Sequence, residues 1–329
     1  MKELPLIAGR LAAADSQSVL ATLVAAEGSS YRQPGARMLI EAGLPRMGSI
    51  SGGCLEEDLL ERARRVAASG RAELAVYDTT AADDLIWGVG LGCHGVVRVL
   101  LEPVGPRPRW AAVVAENLRA RRATHLEVAW ENTSGPLETR LAVARGDSVP
   151  GVFRETVEAP ASLSIFGAGD DAQPLAHLAC GLGWSVTVAD PRPAMPTEQR
   201  FPGAAGLVLG AAEELVARAA PQPGSLAVVM THRYLHDLPL LRSLLPLPLA
   251  YLGLLGPRLR AERILADLAA DGLEITPAMR SRLHAPVGLD LGADGSAEIA
   301  VSIVAEMAAA VARRDARPLR DRTLPIHAG

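Results

Sequence analysis

The 329-residue sequence has few cysteines, few aromatics, a single lysine and no long apolar run. Its three cysteines, Cys54, Cys93 and Cys180, are too few for a disulfide framework, and none sits in a C-x-x-C pair that would suggest zinc. Aromatic residues make up only 3%, which removes the stacking platforms that single-stranded nucleic acid needs. Basic residues (33) and acidic residues (37) nearly balance, leaving a net charge of −4 with no basic run. Nucleic acid and anionic membrane are therefore not expected partners. Lys2 is the only lysine, so nearly all positive charge is arginine. No stretch approaches the ~18 apolar residues of a membrane span. Asp15, Ser16, Gln17 and Ser18 interrupt the N-terminal apolar stretch before a signal-peptide core can form. The expectation is a reduced, cytoplasmic protein.

What is present is core-forming material: 49% apolar and 21% charged residues, in a length that suits about two domains. A β-type run from Val19 to Ala25 ends at Gly28-Ser29-Ser30. A second, Arg37 to Ile40, follows the turn residues Gln33-Pro34-Gly35, so a hairpin is predicted. Leu55, Leu59, Ala63 and Val66 then recur at helical spacing up to Gly70. Strand-like runs follow at Glu73–Tyr77 and Val96–Leu101, and Pro103, Pro106 and Pro108 close an α+β domain over 1–104. Residues 105–160 read as a connecting segment with one helical stretch and three short β-type runs. From Ser162 strands alternate with helices: Leu163–Phe166, Ser185–Ala189, Leu226–Met230 and Leu249–Leu252. That rhythm predicts a parallel sheet covered on both faces over 161–313, closed by a helix carrying Ile299, Ile303 and Met307. A charged tail occupies 314–329. The fold class is thus α/β, a C-terminal Rossmann-like parallel-sheet domain with a smaller N-terminal α+β domain.

Gly167-Ala168-Gly169-Asp170-Asp171-Ala172 places G-x-G-x-x-A directly between a strand and a helix. Here the first glycine permits a tight turn, Gly169 lets a phosphate approach the backbone, and Ala172 allows helix–strand packing. Asp190 ends the next strand, where a ribose-binding acid is expected. Asp170 and Asp171 disfavour a second anion beside the helix N-terminus, so loss of nucleotide binding stays open. Asp190 favours NAD, whereas Arg192 suits a 2′-phosphate. Thr231-His232 and the run Gly253-Leu254-Leu255-Gly256-Pro257-Arg258 follow later strands and face the same crevice, with Arg258 suited to phosphate. His232 and His236, four apart, have no companion metal ligand at clear spacing. Gly288-Leu289-Asp290-Leu291-Gly292 precedes the last helix, where Ser296 is a candidate cap.

Two cysteines lie in glycine-rich settings. Cys54 follows Gly52-Gly53 at a predicted helix start, where the dipole favours a thiolate while Glu56 and Glu57 oppose it. Cys93 lies in Gly88-Val89-Gly90-Leu91-Gly92-Cys93-His94-Gly95, four glycines in eight residues, which points to close approach of a ligand or another segment. Cys180 reads as core packing. Soft-ligand or sulfur-relay chemistry suits this pair better than hydrolysis, since G-x-S-x-G, P-loop and H-E-x-x-H motifs are missing.

In combination these strings resemble the XdhC/CoxI family, accessory proteins of xanthine dehydrogenase and related molybdenum hydroxylases. The N-terminal half carries it in Ala21-Thr22-Leu23-Val24, Pro34-Gly35-Ala36-Arg37-Met38 and Ser49-Ile50-Ser51-Gly52-Gly53-Cys54-Leu55-Glu56, then Gly90-Leu91-Gly92-Cys93. The C-terminal half carries it in the Gly167 turn, Asp190-Pro191-Arg192-Pro193, Met230-Thr231-His232, Tyr251-Leu252-Gly253-Leu254-Leu255-Gly256 and Pro286–Gly292. His94 and Ser296 depart from the pattern, where Gly or Asn and Pro are more usual. Residues 105–160 take no part. The resemblance implies a chaperone, not itself an enzyme, that binds the molybdenum cofactor (molybdopterin). It would support sulfuration with a cysteine desulfurase and insert the cofactor into a molybdenum hydroxylase, acting as a homodimer. Cys54 and Cys93 would then meet the molybdenum end or relay sulfur. Gly52, Gly53, Gly92, Gly167, Gly169, Asp190, His232 and Arg258 would line the cofactor site. An NAD(P)-dependent oxidoreductase and a cofactor-free adaptor are the alternatives.

Overall fold

The computed structural model describes residues 3–28, 32–78, 95–131, 135–143 and 149–323. It divides into two compact units, Met1–Ala159 and Pro160–Gly329.

The first unit is built on a five-stranded antiparallel sheet. Its elements are α1 (Glu3–Ala13), β1 (Ser18–Gly28), β2 (Arg37–Ile40), β3 (Met47–Gly48), α2 (Glu56–Ser69), β4 (Glu73–Asp78) and β5 (Gly95–Val104). The sheet order is β3-β2-β1-β5-β4. The β1–β2 pairing sets Val19 opposite Ile40 and Thr22 opposite Arg37, so the predicted hairpin forms. Alternate residues of the central strands face opposite layers. Val19, Ala21, Met38 and Val99 pack with Leu59, Ala63 and Val66 of α2, whose C-cap Gly70 is left-handed. Leu20 and Leu39 pack on the other side against Ile7 and Leu11 of α1. The sequence reading missed α1, an 11-residue helix too short to be stable alone, which the burial of Leu4, Ile7, Ala8 and Leu11 stabilises.

Residues beyond 105 join this same unit. They form α3 (Arg109–Arg119), β6 (Thr124–Ala129), β7 (Thr139–Leu141) and β8 (Val152–Val157), the strands pairing antiparallel in the order β7-β6-β8. Trp110, Val114, Leu126 and Val157 share the α1 core. The Arg37 side chain is fully buried, with Nη1 donating to the Gly35 carbonyl at 3.2 Å and Nη2 against the Glu155 carboxylate. Glu102 on β5 is buried as well and accepts from Thr139 N at 2.7 Å and from the Thr139 hydroxyl. Burial pushes the Glu102 carboxyl up to about 7, against the Thr139 bonds and the Arg37 charge.

The second unit is a six-stranded parallel sheet. It comprises β9 (Ser162–Phe166), α4 (Ala172–Gly181), β10 (Ser185–Asp190), β11 (Gly206–Leu209), α5 (Ala212–Ala219) and β12 (Leu226–Val229). There follow α6 (Tyr234–Leu244), β13 (Tyr251–Leu254), α7 (Arg258–Ala270), α8 (Pro277–Arg282), β14 (Leu283–His284) and α9 (Ser296–Ala312). The order β11-β10-β9-β12-β13-β14 is the doubly wound 3-2-1-4-5-6 pattern, with its reversal between β9 and β12. Leu163, Ile165 and Val188 pack under α4 and α9, while Phe166, Ala227 and Val229 pack under α5, α6 and α7. The sequence reading did not find β11, whose residues are only half-buried at a sheet edge, nor the two-residue β14.

Gly167 lies at the reversal with φ of 118°. A Cβ there would stand 2.5 Å from the Met230 carbonyl oxygen and 2.8 Å from Thr231 N, so only glycine lets the turn after β9 meet the end of β12. Gly169 differs, since a Cβ on it would meet nothing within 4 Å. Gly167→Ala is expected to destabilise the protein by about 2–4 kcal/mol and Gly169→Ala by less than about 1, read by urea denaturation. Glu102 gives a second test. Between 4.5 and about 7 the folded state retains the proton that the unfolded state has lost, so stability falls as pH rises across that window. Glu102→Gln should remove this slope.

Candidate functional site

Two local structures carry the predicted residues, one in each unit.

In the first, Gly48 has φ of 84°, and a Cβ on it would lie 2.3 Å from the Arg37 carbonyl oxygen. This close crossing turns the chain from β3 into residues 49–55. Glu56, the first residue of α2, is 2% exposed and points back into that loop. Its carboxylate accepts from Ser49 Oγ at 2.8 Å, Ile50 N at 3.2 Å, Ser51 N at 2.9 Å and the Ser51 hydroxyl. Ser51 Oγ accepts in turn from Gly53 N at 3.2 Å and Leu55 N at 3.1 Å, which ties the loop to the residue just before α2. Cys54 stands exposed on this braced turn, next to Gly53 with φ of 124° and open space around it. The sequence reading set Glu56 against a thiolate at Cys54; the structure gives its charge to the 49–51 loop. Burial alone would raise the Glu56 carboxyl, but the Ser51 and Ser49 hydrogen bonds outweigh it and hold it at about 2. Gly92, Cys93 and His94 lie outside the described residues.

In the second unit, Gly167, Gly169, Asp190 and His232 come together at the C-terminal ends of β9, β10 and β12. Asp190 is fully buried. Its Oδ2 accepts from Ala168 N at 2.7 Å and Arg192 Nη2 at 2.7 Å; its Oδ1 accepts from Arg192 N at 2.8 Å and Arg192 Nε at 2.9 Å. Burial opposes ionisation here too, yet the Arg192 and backbone bonds leave the carboxyl below its ordinary value.

The acidic pair after Gly169 is also partnered. Arg200 Nη2 donates to Asp170 Oδ1 at 3.0 Å and to the Ala168 carbonyl at 3.1 Å. His232, left-handed at φ of 59°, places Nε2 at 3.1 Å from Asp171 Oδ2, and the Ser296 hydroxyl donates to Asp171 Oδ1. Ser296 therefore ties α9 to the start of α4 instead of capping its own helix, whose N-cap is Gly295. The β12–α6 turn is held by Asp237, which accepts from Thr231 Oγ1 at 2.5 Å and pairs with Arg260.

Arg258 opens α7 in an exposed position, with no ion pair or hydrogen bond among the described residues. Arg260, two residues on, is the arginine that reaches Asp237. Gly253 lies inside β13, not in the turn after it, and a Cβ there would be 2.5 Å from Val287 Cγ2. Cys180 is half-buried, its thiol pushed up by burial and donating to the Gly203 carbonyl at 3.4 Å. Arg200 was missed in the sequence because 30 residues separate it from Asp170 and only the fold closes that gap.

Comparison with known proteins follows the same division. Residues 11–78 match the XdhC and CoxI family, and residues 163–307 match the XdhC Rossmann domain. A Bacillus subtilis protein named as a probable xanthine dehydrogenase subunit is 35% identical over 313 residues, covering 88% of this chain and 92% of that one. The chain belongs to the XdhC and CoxI family. A crystal structure of a Bacillus halodurans protein titled a xanthine dehydrogenase superposes with a TM-score of 0.83 at 30% identity, over 96% of this chain and 98% of that one. The Escherichia coli molybdenum cofactor insertion chaperone PaoD is 26% identical over 299 residues, 88% of this chain and 82% of its own. In this XdhC-type chain no described helix is long and apolar enough to cross a membrane.

Glu56→Gln tests the braced cysteine turn. A carboxyl held near 2, against 4.5 unperturbed, contributes stability that is fully present above about pH 5 and lost as pH falls toward 2. The variant should lose on the order of 2 kcal/mol at neutral pH and show a flatter acid limb in denaturation midpoints.

Proposed function

We propose that this chain is a maturation factor for a molybdenum hydroxylase of the xanthine dehydrogenase type, carrying the molybdenum cofactor as cargo and delivering it to the apo-enzyme. The observation that carries this reading is kinship over 88% of the chain with a molybdenum cofactor insertion chaperone. The geometry supports it. Cys54 stands exposed on a turn braced by Glu56, where a soft sulfur suits a thiophilic metal or a sulfur relay; Cys93, outside the described residues, is given the same role by the family resemblance. The Gly167 turn leaves Gly169 open for the phosphate end of the pterin, with Asp190, His232 and Arg192 around it.

The chain binds cargo and does not itself turn over a substrate. Sulfuration alongside a cysteine desulfurase, a cytoplasmic location and a homodimeric assembly belong to the same proposal. An NAD-dependent oxidoreductase is the weaker reading, because the acid that would hold that dinucleotide's ribose diol has its acceptor positions filled from within the chain.

The test is anaerobic capture. Protein mixed with molybdenum cofactor released from a hydroxylase is desalted and assayed for molybdenum and for oxidised-pterin fluorescence. Near-stoichiometric retention of both is expected, with loss of most of the metal in Cys54→Ala and Cys93→Ala. Retention of neither metal nor pterin by the unaltered protein would sink the proposal, and full retention in both variants would remove the thiols from it.

A further inference from the structure

The sequence leaves two readings of the β10 end open: an acid that holds a ribose diol, or an arginine that holds a phosphate. The side-chain geometry separates them. A carboxylate offers about four lone-pair positions. All four at Asp190 are taken, two by Arg192 side-chain nitrogens, one by Arg192 N and one by Ala168 N. The residue has no exposed surface. A ribose diol would have to displace either the Ala168 amide of the glycine turn or the Arg192 groups that hold the carboxylate, leaving the displaced donor without its partner.

Arg192 is the reverse case. Its Nε and Nη2 face Asp190, while its side chain is 36% exposed and Nη1 makes no hydrogen bond among the described residues. The guanidinium is therefore held side-on by a buried carboxylate with one edge free, the arrangement that suits a planar, directed contact to phosphate oxygens. It sits two hydrogen bonds from the turn, because Asp190 Oδ2 bonds both Arg192 Nη2 and Ala168 N. Arg200 Nη2 reaches the same residue by donating to the Ala168 carbonyl at 3.1 Å. Residue 168 is thus tied to Arg192 through Asp190 and to Arg200 directly, and its neighbour Gly169 has open space where a Cβ would stand.

We propose that this edge of the crevice recognises a phosphomonoester dianion and rejects an unphosphorylated ribose diol, with Arg192 making the contact and Asp190 as its positioning residue. The proposal rests on the reading of the crevice as the phosphate end of the cargo site. Its chemistry is shared by two sources, the terminal phosphate of a pterin and the 2′-phosphate of an adenine dinucleotide.

Binding to the full-length protein separates the sources and the proposal from its rivals. The probes are NADP+ and NAD+, which differ only in the 2′-phosphate, and oxidised phosphorylated pterin from the cofactor with and without phosphatase treatment. At least one phosphorylated probe should bind about tenfold or more tighter than its unphosphorylated counterpart. Preference confined to the pterin pair assigns the terminal phosphate, and preference confined to the dinucleotides assigns the 2′-phosphate. Arg192→Ala should bring the preference close to one, and Arg192→Lys should restore part of it. The Lys variant, with thermal midpoints of both, separates lost contact from lost folding. Equal or tighter binding of the unphosphorylated probes, a preference that survives Arg192→Ala, or no binding of any probe would each overturn the proposal. Cofactor capture through the thiols is scored on molybdenum and does not depend on this preference, so the two readings can fail separately.

Discussion

The buried carboxylate of Asp190 is the constraint on which the crevice depends. It lies where three segments meet: the end of β10, the turn after β9, and the Pro191-Arg192 step that leaves the sheet. A carboxylate without solvent is costly unless each lone pair finds a donor. Here the requirement fixes the Ala168 amide, the Arg192 backbone and the Arg192 guanidinium at once. The glycine turn therefore has a position fixed by bonds within the chain.

The first unit solves a related problem with the same device. Glu56 and Asp190 are both buried acids whose hydrogen bonds run to backbone amides of an adjacent glycine- or serine-rich loop. In each case the loop is the segment that presents chemistry, an exposed thiol in one and an open backbone face in the other. The reactive groups themselves need few contacts. Their placement comes from buried carboxylates that bond the loop from within the chain.

Charge balance around the Gly167 turn follows from the same packing. Asp170 and Asp171 look hostile to an anion when read as a pair of carboxylates at a helix start. In the folded chain Arg200 answers the first, and His232 with Ser296 answers the second. These partners come from the β10–β11 connection, the β12–α6 turn and the head of α9. The turn is thereby a junction of distant segments, and its acids serve to hold it together.

Much of this protein was legible in its residues. The period-2 runs, the Gly70 stop and the strand–helix alternation after Ser162 identified the elements, because they report local propensity and amphipathic spacing. G-x-G-x-x-A between a strand and a helix located the turn, and the Cys54 and Gly167 strings together pointed to the family. What stayed hidden was long-range. No local pattern says that Asp190 turns inward to Arg192 and Ala168, that Ser296 reaches Asp171 across 125 positions, or that Arg260 and not Arg258 meets Asp237. Sequence determined most of the elements and the place of the glycine turn, since those follow from neighbours along the chain; α1, β11 and the edge strand β14 needed the packed structure. Only the tertiary structure decided which polar groups are spent on one another and which remain to meet a ligand, since a buried charge takes whichever donors the fold brings within reach.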